Sequence, residues 1–209
     1  MKKHSEKIQR SGRSLLLPIG VMAPIGMLLG ISGAFAQQYM IDLIPIFGTP
    51  WFNTLMISIR TVSDTIFKNL PLLFAMGVAY GMSQEDKGIA VFSSVLAYLV
   101  LIVVMNIYLT TTGQIITEGN ISVGGQAMVL GIQTVNVNVF GGIIAGLIAA
   151  WATDKFYDLQ LPITFAFFAG RKSVPLISMG VIIIVGLIIP VFWKYLVAFF
   201  VIISGLLSN

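Results

Sequence analysis

Few side chains in this 209-residue sequence are of types that do covalent chemistry. His4 is the sole histidine and cysteine is absent. A thiolate nucleophile, a disulfide framework and a thiolate metal site are therefore excluded. His4 has no acidic cluster at ligand spacing, so no metal site is expected. The carboxylates Glu85-Asp86 and Asp154 with Asp158 form two pairs in hydrophilic connections. General acid–base work needs opposed carboxylates in a cleft, and these pairs read as solvated loop ends. No Gly-x-Gly-x-x-Gly or Gly-x(4)-Gly-Lys loop is present, so nothing here is built to hold a nucleotide. The sequence predicts no catalytic residue and no cofactor.

Polar groups beside apolar runs are the better candidates. Arg60, Asp64 and Lys68 recur at i, i+4 and i+8, a charged stripe on a helix, with Leu55, Ile59, Val62 and Ile66 largely on the other side. Such a stripe fits an interfacial or protein-packed helix, or a polar path through a membrane. Asn136 and Asn138 stand at the start of an apolar run, where a buried amide needs partners. They would bond a neighbouring helix or touch a polar solute. Arg60, Asp64, Asn136 and Asn138 are thus the substrate-path candidates.

The elements that position these groups follow from composition. Hydrophobic residues make up 57%, charged residues 10%, and mean hydropathy is +0.95. A soluble domain carries roughly 25% charged residues to cover its surface, so this chain needs a bilayer. The net charge of +4 gives no case for nucleic acid, because most basic residues flank apolar runs. Residues 1–14 form a basic head. Residues 15–36 run 22 positions without a charge, the first span. Ala34-Phe35-Ala36 resembles a leader cleavage site, but the run is longer than a signal core. Residues 37–50 read as a connection and 51–67 as the striped helix. Residues 69–84 are short for a span unless Phe67 and its neighbours extend them. Residues 89–109, 131–153 and 173–193 read as further spans, separated by a mixed stretch (113–130) and an apolar segment (161–170) too short to cross. The chain is predicted to be an all-α integral membrane protein of about five transmembrane helices plus interfacial or re-entrant segments.

Orientation can be counted. With the N-terminus cytoplasmic, segments 1–14, 84–88 and 154–172 lie inside and hold nine of the twelve basic residues. The connection 110–130 holds none, as the positive-inside bias requires. Asn120-Ile121-Ser122, a glycosylation-type triplet of little weight, then falls outside. Gly26/Gly30, Gly77/Gly81 and Gly142/Gly146 share the four-residue spacing that lets helices approach closely.

Two stretches carry a specific resemblance. They are LPLLFAMGVAYGMSQEDKG (70–88), followed by IAVFSSVLAYLV, and GIQTVNVNVFGGIIAGLIAAWATDKFYDLQLPITFAFFAGRKSVPL (131–176). Leu-Pro-x-x-Phe-Ala-x-Gly, Asp-Lys-Gly, Gly-Ile-Gln, Phe-Gly-Gly-Ile, Leu-Pro and Phe-Phe-x-Gly-x-Lys-x-Val-Pro occur in that order. The chain resembles the sugar permease, enzyme IIC, of the bacterial phosphoenolpyruvate-dependent phosphotransferase system, in its glucose, N-acetylglucosamine and maltose/glucoside branch. Gly-Ile-Gln-Thr and the connection IDLIPIFGTP lean toward the maltose/glucoside members.

The resemblance implies a bacterial inner-membrane component that moves a sugar inward while a partner, enzyme IIB, phosphorylates it. Enzyme IIB draws its phosphate from the enzyme IIA phosphocarrier and holds it on a cysteine, which this chain lacks. It also implies a homodimer in contact with lipid. Residues 15–209 would be the N-terminal, dimer-forming half, since the family's later glycine-histidine and Glu-Pro-Ile-Glu segments are not in the sequence. A transport-inactive remnant acting as a membrane interaction protein is the alternative. After Gly131-Ile132-Gln133-Thr134, relatives carry an acidic residue and then Thr-Gly; Asn136-Val137-Asn138 stands here instead, which puts any coupling role of that acid in doubt. Arg171 and Lys172, with Lys87, are the candidates for docking enzyme IIB on the cytoplasmic side, beside a simple anchoring role.

Overall fold

The computed structural model describes residues 2–207 apart from 118, 120 and 123. Helix α1 (Lys2–Phe35) joins the basic head and the first apolar run in one rod that keeps Pro18 and Pro24 inside it. The short α2 (Gln38–Leu43) and a 3-10 turn (Pro45–Gly48) then reverse the chain. Phe35, Phe47 and Phe52 close this corner, with ring centroids 4.9–6.2 Å apart.

Helix α3 (Pro50–Lys68) starts on a proline, whose missing N–H costs nothing in a first turn. It ends at Asn69, and α4 (Leu70–Met82) begins there with Pro71 in its first turn. The two helices run back along α1: Phe52 lies by Phe35, Phe67 by Gly26, Pro18 by Gly77 and Ser14 by Gly81. The 13-residue α4 follows α3 directly, with Phe67 on the last turn of α3.

Asp86 caps α5 (Lys87–Thr111) by accepting from the Ile89 N–H at 3.1 Å. Strands β1 (Gln126–Val129) and β2 (Ile132–Val135) follow as an antiparallel hairpin. Its two turn residues, Leu130 and Gly131, both have positive φ, 51° and 80°, as a two-residue hairpin loop of this hand demands. The predicted span over 131–153 is corrected here: its first residues are strand, and α6 covers Asn138–Phe156. Two 3-10 turns (Ile163–Phe168 and Gly170–Lys172) lead into α7 (Ser173–Leu207).

Helices α1, α5 and α7 run one way, and α3–α4 and α6 return. Among the described residues, four helices are long and apolar enough to cross a membrane: 14–35 of α1, α5, α6, and 170–196 around α7. Ile184 and Phe192 stand exposed at 62% and 68% on α7, where hydrocarbon makes exposure favourable. The core sits on α5, whose Leu101, Ile102 and Met105 are fully buried between α6 and α7.

Small residues set the seams. A methyl on Gly142 would fall on the Pro71 carbonyl, and one on Gly146 would lie 2.6 Å from the Ala75 carbonyl oxygen. A methyl on Gly81 would lie 2.6 Å from the Ser14 Cα, and one on Gly77 would lie 2.7 Å from the Pro18 ring. Helix α4 is therefore gripped on both sides, by α6 and by α1. The Gly26/Gly30 pair forms no such seam: Gly26 has only ordinary contact with Phe67, and Gly30 faces open space. Overpacking costs roughly 1–3 kcal/mol in an interior. Gly142→Ala should therefore lower unfolding free energy in mixed micelles by at least that much. Gly180→Ala, with nothing near it, should be neutral or stabilising by up to about 1 kcal/mol.

Candidate functional site

The polar groups collect at the two ends of the bundle. At the end carrying the basic head, the α4–α5 turn is tied to α6. Asp154 Oδ1 accepts from the Gln84 N–H at 2.7 Å, the Ser83 hydroxyl at 3.0 Å and the Glu85 N–H at 3.3 Å. A carboxylate so occupied is a clamp, not an acid–base catalyst. Asp86, already capping α5, also faces Arg171 Nη1 at 3.7 Å. The connection into α7 is closed by Gly170, at φ 64°, whose N–H reaches the Leu159 carbonyl at 2.8 Å. Ser173 donates to the Gly170 carbonyl at 2.8 Å.

The three docking candidates thus fall at one end. Arg171 lies 5.0 Å over the Tyr157 ring, Lys172 4.2 Å over Phe167, and Lys87 4.7 Å over Tyr80. All three are exposed. The Arg171–Asp86 pair is largely solvated and is worth little stability, so the guanidinium is free to exchange partners. The long stems rest on aromatic faces while the charges stay at the surface.

The substrate-path candidates are not brought together. Asn136 and Asn138 are exposed at the hairpin end, and among the described residues no hydrogen bond joins either amide to a helix. Asn138 has φ 45° at the first turn of α6, a left-handed conformation asparagine tolerates better than most residues. That conformation is a sufficient reason for an amide there. Arg60 and Asp64 lie on α3, packed on α1; Arg60 is exposed, and Asp64 pairs with Lys68 at 2.5 Å. Glu118 and the Asn120 of the glycosylation-type triplet lie outside the described residues.

A second polar centre went unnoticed in the sequence. Gln126 is buried and donates from Nε2 to the Gln114 carbonyl at 2.7 Å. Its Oε1 accepts from the Ile116 N–H at 3.2 Å and from Gln133 Nε2 at 2.8 Å. Gln133 Nε2 also reaches the Ile116 carbonyl at 2.8 Å, and Asn106 Nδ2 the Gln133 carbonyl at 2.7 Å. This network sews the irregular 114–116 stretch to the hairpin. A cleft of about 270 Å³ separates it from Pro190, Trp193 and Lys194 of α7. Trp193 lines that cleft half-buried. The signal was the pair of glutamines flanking Leu130-Gly131, masked because Leu-Gly is a weak hairpin sign beside Asn-Gly. Among the described residues, no three acidic or histidine side chains gather as a metal group.

A largely apolar helical bundle with lipid-facing sides, a basic end and a polar hairpin cap defines a multi-pass membrane protein. The sequence comparisons say which. Residues 12–209 match the family "Phosphotransferase system, EIIC", and the chain belongs to that family. Its members are multi-pass proteins of the bacterial inner membrane. The chain is similar to the maltose-specific EIICB component of Escherichia coli strain K12, 32% identical over 90% of this chain and 36% of that protein. It is also similar to the glucoside-specific and glucose-specific EIICBA components of Staphylococcus carnosus. Each is 33% identical over 92% of this chain, and the matches cover 29% and 28% of those proteins. The chain spans about a third of the length of these relatives.

The Asp154 clamp gives a direct test. Ser83 is buried while Gln84, Glu85 and Asp154 are exposed, so losing these bonds costs about 0.5–1.5 kcal/mol. Asp154→Ala should lower the melting temperature in detergent, and Asp154→Asn, which keeps an acceptor oxygen, should recover part of the loss.

Proposed function

We propose that residues 15–209 form the N-terminal, dimer-forming part of a phosphotransferase-system sugar permease. In the assembled permease, a glucose-type or maltose/glucoside sugar crosses the membrane as enzyme IIB phosphorylates it. Enzyme IIB is in turn recharged by enzyme IIA. The family match along nearly the whole chain carries this reading. Maltose, glucoside and glucose appear in the relatives' names, and those names join EIIC to the B and A components in one chain.

The basic end is proposed to face the cytoplasm. Lys87, Arg171 and Lys172 there suit an acidic or phosphorylated partner face, because exposed cations attract phosphate by charge and hydrogen bonds. Nine of twelve basic residues fall at that end, in the head and in segments 84–88 and 154–172. The exposed outer faces of α1 and α3, including Met27, Leu55 and Val62, would be covered by the second copy. Arg60, Asp64, Asn136 and Asn138 remain proposed contacts on the sugar's route, and lipid surrounds the rest.

Two experiments test this. The chain has no cysteine, so single probes can be added cleanly. In intact cells, an impermeant maleimide should label Thr112→Cys at the hairpin end and spare Gln160→Cys at the basic end; the opposite pattern would reverse the orientation. Membranes containing this chain together with the C-terminal half of a maltose or glucoside permease should phosphorylate sugar from phosphoenolpyruvate when the soluble components are added. Activity no higher than with either half alone would defeat the permease reading.

A further inference from the structure

Between α5 and α7 at the basic end runs a groove of about 410 Å³, walled by Phe92 and Leu96 of α5 and by Leu176 and Met179 of α7. Phe167 and Phe168 of the preceding 3-10 turn flank it, and Arg171 and Lys172 complete its lining. The turn itself is strongly apolar and outward-facing: Ile163 is 97% exposed and Phe167 71%. An aromatic segment of that exposure does not belong in bulk water. It belongs at a membrane interface, where rings sit among headgroups.

The groove's direction selects its occupant. Along α5 it runs from Ile89 to Leu96, two turns or about 10 Å at 1.5 Å per residue. That carries it from the loop level into a segment long and apolar enough to cross a bilayer. A water-soluble domain cannot follow it there, whereas an acyl chain can. The lining includes two cations and no acid. Asp86 faces Arg171 from outside the lining, and among the described residues no carboxylate pairs with Lys172. Lys172 rests its stem on Phe167 and keeps its ammonium at the surface.

We propose that this groove holds an acyl chain of an anionic phospholipid, with the headgroup phosphate between Arg171 and Lys172. The site is separable from partner docking, which needs the aqueous side of the same cations and not the apolar walls.

The purified full chain, given an equal mixture of phosphatidylglycerol and phosphatidylcholine, can be scored for retained lipid by native mass spectrometry. The wild type should keep phosphatidylglycerol in preference. Arg171→Gln and Lys172→Gln should each lower that retention by roughly fivefold, the effect of one cation at a membrane surface. Leu176→Trp, which fills the groove and leaves both cations, should lower retention of either lipid while the melting temperature holds. Equal retention of the two lipids by the wild type, or retention unmoved by all three variants, would overturn the proposal. So would a Leu176→Trp protein that keeps its lipid and, in membranes that also hold the C-terminal half of a permease, loses phosphotransfer from enzyme IIB to sugar, since the groove would then be a protein dock.

Discussion

The bundle depends on how closely α4 can be gripped. Its carbonyls at Pro71 and Ala75 lie where a methyl on Gly142 or Gly146 would sit, and its own Gly77 and Gly81 admit Pro18 and Ser14 of α1. In lipid there is no hydrophobic gain from pressing one apolar helix on another, so close backbone approach and dispersion must supply the attraction. Glycine permits that approach on both sides of one short helix. The α4 segment, at 13 residues shorter than a span, follows directly on α3 and packs along α1. The same constraint sets the height of the α4–α5 turn against the end of α6, and so places Asp154 where three donors can meet it.

The two ends of the bundle are then built from opposite materials. At the basic end, acids are spent on structure: Asp154 holds a turn and Asp86 caps a helix. The cations are left outward on aromatic supports, so the surface offers positive charge over an apolar rim. At the hairpin end, neutral amides do the joining, with Gln126 and Gln133 satisfying backbone groups that an irregular chain would otherwise leave unmet. Amides around a cleft lined by Trp193 and Lys194 make that end less charged than the basic end.

Much of this was legible in the sequence, for definite reasons. Spans show because bilayer thickness imposes a length on uncharged runs, and the basic clusters mark ends because cations anchor at interfaces. Two of the three glycine pairs were seams; Gly26/Gly30 was not, because spacing says nothing about which side of a helix has a neighbour. The hairpin was hidden by Leu130, a poor left-handed residue that the surrounding network holds in place. Asn138 drew notice as a polar group beside a span, yet its backbone conformation explains it. The groove between α5 and α7 joins residues eighty positions apart and leaves no local trace.

The central claim is that the end bearing Lys87, Arg171 and Lys172 meets the phosphate-donating partner. A photoreactive residue in place of Gln160, exposed beside that end, tests it when membranes holding this chain and the C-terminal half of a maltose or glucoside permease are irradiated with purified enzyme IIB. The account predicts an adduct from position 160 and none from position 112 at the hairpin end. An adduct from 112 alone, or none from either while enzyme IIB still transfers phosphate to sugar through these membranes, would contradict it.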